Sequence, residues 1–396
     1  MIRWACGLSL AWTPLVLLAA STDGEPVPIG LSVVLSSDHH ADALSLRQLG
    51  DRHPDLSVLD PRPGRNLAWI DDEARLSFTR AAWQWSVLAR SRSTLRVDAG
   101  TLRLAADVAT DAPGDATGQH WRVDAQWQGW IGRGLALARS DVWSDPTVPV
   151  ADRPELRWRL EGQWLQLTRW RDRRLLGDAR RSGAAEAGGG VRGYRFTVDS
   201  ERHDSTLALP FQPPVTAFGQ ALLLQMDASW RRPTGTELSL SLRDLGWLSW
   251  RGLAHETARA STDTRSVDVD GQASLLPLLQ GHQARVDRRS RAEPAARLTV
   301  LWALPGVPAP APRPGVDLRV LPGGVRLPSL VLASAPDLTW TWRLEGGWHE
   351  RRLGAAIQAG PLLQLAGARL GIAFGTDRPG AGARSRRVGL MGGWER

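Results

Sequence analysis

The sequence predicts an all-β fold, an antiparallel up-and-down transmembrane β-barrel of roughly 12 to 16 strands. Three observations lead to this prediction. Apolar and polar residues alternate strictly in runs that recur along the chain, of which 156–164 (LRWRLEGQW) is one. An apolar leader stands at the N-terminus, and 20 of the 396 residues are tryptophan. Alternation gives a strand one apolar face, and closure into a barrel pairs the backbone N–H and C=O groups of such strands within lipid.

The N-terminal leader, residues 1–21, predicts a cleavable signal peptide. Arg3 precedes an apolar stretch, and the small residues Ala20 and Ser21 suit a cleavage site. The alternative is an N-terminal membrane anchor, for which about sixteen apolar residues, interrupted by Pro14, are short. We therefore expect export through a cleavable signal peptide and, for a barrel, an outer-membrane location.

The only cysteine, Cys6, lies inside this leader. The mature chain is therefore expected to have no disulfide, no thiol nucleophile and no cysteine metal site. No later stretch reaches about eighteen uninterrupted apolar residues, which excludes a protein that crosses the membrane with helices.

Residues 22–70 differ in character from the rest. They contain the apolar 29–35, a short helix-compatible 43–49 and the turn-rich 60–64. We expect this segment to be a periplasmic arm or a plug in the lumen, ahead of a barrel formed by residues 71–396.

The barrel region contains a succession of candidate strands separated by turn residues. They are 75–79, 83–90, 94–97, 101–108, 121–129, 135–138, 156–170, 194–198, 222–230, 238–243, 265–270, 298–302, 316–320, 338–344, 353–359, 365–374 and 387–394. The longest predicted loops are 111–119, 141–153, 171–190, 280–294 and 305–314.

The strand at 156–170 has one polar face, which in a membrane barrel points into the lumen. Its candidate lumen residues are Arg157, Arg159, Glu161 and Gln163. If the barrel is a pore, these side chains set what passes through it.

Tryptophans near strand ends predict an aromatic girdle at the membrane interface. The candidates are Trp121, Trp158, Trp170, Trp230, Trp247 and Trp250. The alternative is that the tryptophans fill the core of a soluble β-sandwich. Against it, the polar face of the strands is as continuous as the apolar face.

The charge of the chain points to no nucleic-acid partner. All 49 basic residues are arginine, the formal net charge is +8, and the skew is typical of a GC-rich genome. We find no compact basic patch and no nucleic-acid motif. The expected partners are outer-membrane lipid, with lipopolysaccharide phosphates as a further candidate for the arginines, and an unidentified solute or envelope protein.

The stretch 238–250 (LSLSLRDLGWLSW) resembles a hairpin of Gram-negative outer-membrane β-barrel proteins, including poorly characterised relatives of transport and secretion barrels. In that pattern a strand ends in an Asp-Leu-Gly-aromatic turn, here Asp244 to Trp247. The resemblance implies placement in the outer membrane and roles in transport or envelope assembly. Such barrels commonly end on an aromatic residue, whereas this chain ends Trp394-Glu395-Arg396.

No motif predicts catalysis, a cofactor site or a metal site. Asp38-His39-His40 resembles a metal-binding triplet but lacks companion ligands. The sequence also contains no phosphate loop and no nucleophile elbow. Three functions remain open: a pore or uptake component, a non-conducting envelope anchor or assembly component, and an outer-membrane lipid hydrolase using His203 with Ser205, or His120. We favour the first and expect no enzymatic activity.

Overall fold

The computed structural model describes residues 29–49, 55–110, 119–144, 147–149, 153–181, 194–209, 218–262, 265–267, 273–275, 278–304, 311–322, 324–335, 340–359 and 368–395. The leader therefore lies outside the described residues. Antiparallel strands dominate, and all but two short ones form one sheet. None of the helices in these ranges is long and apolar enough to cross a membrane.

The strands follow one another mostly as neighbours in the sheet. Their bounds are β1 Ile29–Ala41, β2 Arg65–Arg80, β3 Trp83–Asp98, β4 His120–Ser144, β5 Glu155–Arg181, β6 Tyr194–Asp204, β7 Phe218–Arg231, β8 Glu237–Ser261, β9 Arg265–Val267, β10 Ala273–Leu275, β11 Leu278–Arg291, β12 Ala295–Leu301, β13 Arg313–Leu321, β14 Val325–Ala333, β15 Trp340–Gly347, β16 Arg352–Ala359, β17 Ala368–Thr376 and β18 Ser385–Glu395. The helices are α1 Leu46–Leu49, a 3₁₀ turn Leu56–Val58 and α2 Ala99–Thr110.

The sheet closes on itself because β1 pairs with both β18 and β2. Two positions in the barrel are each filled by two strands: β6 and β7 both lie between β5 and β8, and β11 and β12 both pair with β8. The barrel therefore has fourteen strand positions. This confirms the predicted antiparallel barrel and its expected strand number.

The expectation of an N-terminal arm or plug over residues 22–70 is wrong for its described strands. Ile29–Ala41 is the strand that closes the barrel, and β2 begins at Arg65 rather than after residue 70. The run 29–35 is therefore part of a barrel strand with an apolar outer face. Of the described residues in this segment, those between β1 and β2, which carry α1 and the 3₁₀ turn, stand outside the wall.

Some predicted loops and one predicted strand also need correction. β5 continues to Arg181 and β11 covers Leu278–Arg291, so much of two expected loops, 171–190 and 280–294, is wall; β4 runs to Ser144 and takes the first residues of a third, 141–153. The expected strand 101–108 is helix α2 instead. Asp98 accepts the backbone N–H groups of Gly100 at 2.9 Å and Thr101 at 3.1 Å, which caps the start of that helix.

The two rims of the barrel are defined by their turns. We call the rim with the β2–β3 turn at residues 81–82 the lower rim, and the rim with the β15–β16 turn at residues 348–351 the upper rim. β4, β5 and β8 are 25 to 27 residues long, whereas β13 to β17 are 8 or 9. The wall is therefore much taller on the β4–β8 side, at the upper rim.

The two faces of the wall differ in chemistry. Outward side chains form an apolar belt around the barrel, each between 43% and 64% exposed: Leu31, Val33, Leu76, Val87, Leu135, Leu222, Leu330, Ile357, Ile372 and Leu390. Their alternate neighbours, such as Ser77, Ser86 and Arg90, are buried inside. A water-soluble barrel would not leave such a belt exposed.

Candidate functional site: the charged lumen

Two networks of arginines and carboxylates cross the inside of the barrel. The first, which we call the β3–β8 network, consists of Glu73, Arg75, Arg90, Arg92, Glu161, Gln163 and Asp244. The second, the β1–β13 network, consists of Asp38, Arg297, Asp317, Arg319, Arg343, Glu345, Glu350, Arg352 and Arg387.

In the β3–β8 network, Arg75 donates two parallel hydrogen bonds, of 2.5 and 2.8 Å, to the carboxylate of Glu161. This fork geometry is the strongest form of arginine–carboxylate pairing. Arg90 donates to Asp244 at 2.7 Å and to the Gln163 amide oxygen at 2.9 Å. Residues from β2, β3, β5 and β8 are therefore tied together across the lumen.

Asp244 reaches the lumen through a β-bulge. Opposite it, the pairing of β7 with β8 shifts between Leu224 and Met226, so that one extra residue of β8 is accommodated. The φ angle of Asp244 is 61°, a left-handed conformation that aspartate tolerates better than most residues. The Asp-Leu-Gly-aromatic stretch is thus an interruption inside one continuous strand, and the expected turn at this point is wrong.

In the β1–β13 network, Asp38 is held from two strands. Arg319 of β13 donates to it at 2.5 Å and Arg352 of β16 at 2.6 Å. Five strand positions, β14 to β18, separate Arg319 from Asp38 along the wall. The pair therefore joins nearly opposite sides of the barrel.

Apolar side chains close the middle of the lumen beside the β3–β8 network. One buried cluster consists of Leu88, Trp130, Ala136, Leu165, Leu167, Trp170, Ala221, Leu223, Leu248, Trp250, Leu253 and Ala292. Leu165 and Leu253 have no exposed surface. In this structure the lumen is filled with side chains at mid-height, and no open channel runs through that cluster.

Below the closure, a cavity of about 670 Å³ lies inside the barrel near the lower rim. Arg157, Arg159 and Arg297 contribute cationic groups to its lining, and Asp227 contributes a carboxylate. Hydroxyl groups complete it: Ser140, Ser229, Ser239, Ser241 and Thr299.

The four lumen candidates from the sequence divide between these two environments. Glu161 and Gln163 are 1% and 2% exposed within the β3–β8 network. Arg159 lines the cavity and donates to Gln84 at 2.6 Å, and Arg157 is exposed there with Glu155 as its partner at 2.9 Å. The partners Arg75, Arg90 and Asp244 were missed, because alternation alone does not identify which polar residues meet across a barrel.

Three of the six girdle candidates are wrong. Trp170 and Trp250 lie in the buried lumen cluster, and Trp121 is covered by α2, whose Leu104 packs against it. For the first two, bulges explain the error. The pairing shift opposite Thr168 precedes Trp170 and the bulge at Asp244 precedes Trp250, and a shift of one residue turns every later side chain to the other face.

The other three candidates, Trp158, Trp230 and Trp247, keep at least part of their surface exposed, and Trp247 is 48% exposed. The sequence reading overlooked a further set of exposed tryptophans at strand ends of the lower rim: Trp83, Trp143, Trp302, Trp340 and Trp394. Their positions next to turn residues are the sequence signal that indicates a place at the rim.

Within the described ranges, two clusters of three side chains have metal-ligand spacing. His40, Asp42 and His349 meet at the upper rim, and Glu201, His203 and His255 meet inside the tall wall. In the first, Arg62 lies 2.8 Å from Asp42. Burial raises the pKa of Asp42, but hydrogen bonds from His349 and His40 outweigh it and hold that pKa below its usual value. The guanidinium group of Arg62 therefore already neutralises the Asp42 carboxylate.

The second cluster also contains an arginine. Arg288 contacts the ring of His203, which is stacked on His255 at 4.2 Å. Ser205, the proposed hydrolase nucleophile, accepts the backbone N–H of Trp170 at 3.0 Å, and His120 lies 3.2 Å from Asp178 on the surface. Among the described residues, neither candidate of the hydrolase hypothesis is therefore paired as expected: no hydrogen bond joins Ser205 to His203, and none joins a serine to His120.

Comparison with known proteins assigns the chain to no family. No protein-family model and no curated protein matches the chain. Similar solved structures include a mutant of the monoaromatic hydrocarbon channel TodX (9% identity, 93% of this chain and 88% of that one, TM-score 0.35). They also include the Pseudomonas putida toluene transporter TodX (9%, 95% and 90%, 0.33) and the Ralstonia pickettii toluene transporter TbuX (8%, 94% and 90%, 0.25). A likeness of this degree says nothing about the solute.

Proposed function

We propose that this protein is an outer-membrane transport barrel whose passage is closed at rest by arginine–carboxylate pairs that cross the lumen. The observation that carries the proposal is the Arg90–Asp244 pair, which joins non-neighbouring strands inside the barrel at 2.7 Å. Both side chains are 1% exposed. Closure by exchangeable ion pairs suits a gate, because one charged partner can be replaced by another or by water.

Placement in a membrane is supported by the outer face. The apolar belt surrounds the wall, and exposed tryptophans stand at the lower rim. An apolar band with aromatic residues at its edge is typical of barrels that lie in a hydrocarbon layer.

The charged interior supports transport over a purely structural role. Burying an arginine–carboxylate pair is often no better for stability than a well-packed apolar pair. An anchor would gain nothing from filling its interior with two such networks. The cavity at the lower rim adds a water-accessible compartment directly below the closure.

One observation favours the non-conducting anchor as a second candidate. The apolar cluster around Leu165 and Leu253 packs as a protein core does, and opening a passage there requires these side chains to move. The anchor reading predicts that loosening the ion pairs opens nothing.

Conductance measurements in planar lipid bilayers separate the two candidates. We expect rare, short openings from the wild-type protein and a several-fold higher open probability from Asp244→Asn, which removes the carboxylate from Arg90. Asp199→Asn, at an exposed position on β6, is the control and should behave as wild type. Silence of wild type and of Asp244→Asn at every voltage, with both proteins folded and inserted, would overturn the transport proposal in favour of the anchor.

A further inference from the structure

Four arginines on the outer face differ from those of the two lumen networks. The network arginines are paired with carboxylates. Arg133, Arg251, Arg289 and Arg291 are exposed, and among the described residues they have no carboxylate partner within ion-pair distance. Unpaired guanidinium groups on one part of a wall are suited to bind an external anion.

Strand register places two of these arginines, Arg133 and Arg289, in one row of paired residues. A polar row crosses β4, β5, β7, β8 and β11 through consecutive paired residues: Arg133, Gln166, Gln220, Ser249 and Arg289. The row directly below it is apolar on four strands and basic on the fifth: Leu135, Trp164, Leu222, Trp247 and Arg291. The boundary between belt and polar wall therefore runs between these two rows.

Three of the arginines are neighbours on the outer face of β8 and β11, and two of them lie beside Trp247. Arg289 and Arg291 are two residues apart on β11, so both point outward, and Arg289 lies over the Trp247 ring at 5.3 Å. Arg251 stands diagonally across from Arg289 on β8, since Arg289 pairs with Ser249. Diagonal and same-face neighbours in a sheet are about 7 Å apart, within reach of one another's long side chains.

A groove in the belt begins beside this cluster. Its volume is about 500 Å³, and its side-chain lining is almost wholly apolar: Trp85, Leu135, Leu137, Trp164, Leu222, Leu224, Leu245 and Trp247. Gly162 contributes to its floor, and a methyl group added there would have no atom within 4 Å. The missing side chain leaves a recess in an otherwise filled belt.

We propose that this surface binds one lipid whose headgroup carries phosphate, with the phosphate between Arg251, Arg289 and Arg291 and an acyl chain in the groove. Charge complementarity selects the headgroup, because arginine forks match phosphate oxygens. Continuity between the basic cluster and the groove selects a lipid over free phosphate. The inference rests on the membrane placement proposed above, though not on conduction.

Native mass spectrometry of the full-length protein released from lipid nanodiscs tests the site. The probes are phosphatidic acid and phosphatidylcholine with identical acyl chains, and inorganic phosphate as a separate competitor. We expect retention of one phosphatidic acid in preference to phosphatidylcholine. Arg289→Gln with Arg291→Gln should weaken this retention by at least about tenfold, because charge-assisted hydrogen bonds to the phosphate are lost.

A matched control removes two exposed arginines away from the belt, Arg103 on α2 and Arg195 on β6, by the same change to glutamine. It should retain phosphatidic acid as wild type does. A second variant, Gly162→Leu, fills the recess without altering charge and should also reduce retention.

The outcomes separate the two proposals. Equal retention by wild type and the Arg289/Arg291 variant, both inserted in nanodiscs, overturns the lipid site and leaves the transport proposal standing. Complete displacement of the lipid by inorganic phosphate reduces the site to a phosphate site and overturns the role of the groove. Failure of the wild-type protein to enter nanodiscs overturns the membrane placement, and the lipid site with it.

Discussion

Arg319 and Asp38 lie 2.5 Å apart although five strand positions separate β13 from β1 along the wall. Arg352 donates to the other oxygen of the same carboxylate. A fourteen-stranded barrel whose opposite sides touch through single side chains is filled in its interior. The state of the lumen therefore depends on these charge pairs as much as on the number of strands.

Removal of the Asp244 carboxylate should strongly destabilise the barrel. In Asp244→Ala, Arg90 and Arg92 lose a partner inside the lumen, and breaking a buried pair by deleting one partner typically costs about 3–5 kcal/mol. Urea-induced unfolding in lipid vesicles measures the loss. Asp178→Ala, at an exposed position, should change stability by less than about 1 kcal/mol. Similar losses for the two variants would contradict a structural role for the pair.

The Arg319–Asp38 pair should show coupling in a double-mutant cycle. We expect Arg319→Met and Asp38→Asn to be non-additive by about 0.5–3 kcal/mol in unfolding free energy, since the two side chains share one ion pair. The same cycle for Arg259 and Asp199, which are exposed and 3.8 Å apart, should give much less. Additive effects within error for Arg319 and Asp38 would show that the lumen contact contributes nothing.

Replacement by alanine should change thermal stability at one glycine of the wall and leave it unchanged at another. A Cβ atom at Gly134 would lie 1.9 Å from the carbonyl oxygen of Trp164, so Gly134→Ala must disturb the pairing of β4 with β5. Gly162→Ala meets open space. We expect the first variant to lose thermal stability by several degrees and the second to melt near wild type, as measured by loss of β-sheet circular dichroism. The reverse order would mean that β4 and β5 approach differently.

Tryptophan replacements should distinguish the lumen from the lipid face. Trp250→Ala empties space in the buried cluster, and large-to-small changes of this kind cost about 3–5 kcal/mol. Trp340→Ala, at a residue 53% exposed on the lower rim, should cost far less in unfolding free energy.

Lipid-borne quenchers give an independent readout for the same two residues. Acyl chains labelled with bromine near the interface quench the fluorescence of tryptophans that contact lipid. The quenched fraction of the protein's fluorescence should fall when Trp340 is replaced and should not fall when Trp250 is replaced. Loss of quenching in Trp250→Phe would place that ring outside the barrel and contradict the bulge at Asp244.

The alternation of residues was enough to predict the class of fold. Antiparallel strands, a closed barrel and a strand number within the expected range follow from local periodicity, which each strand carries in its own sequence. Alternation also indicates which residues share a face, and Arg159, Glu161 and Gln163 are on one face for that reason. The apolar run 29–35 carries the same signal, which predicts a strand there too.

Only the tertiary structure decided which side chains face the lumen after a bulge, and which arginines pair with which carboxylates. One extra residue at Asp244, and another at Thr168, reverse the direction of the side chains that follow, so Trp250 and Trp170 enter the lumen. The partners Arg90 and Asp244 are 154 residues apart in the chain, and Arg319 and Asp38 are 281 apart. Such pairs depend on closure and shear of the whole sheet, which no single strand encodes.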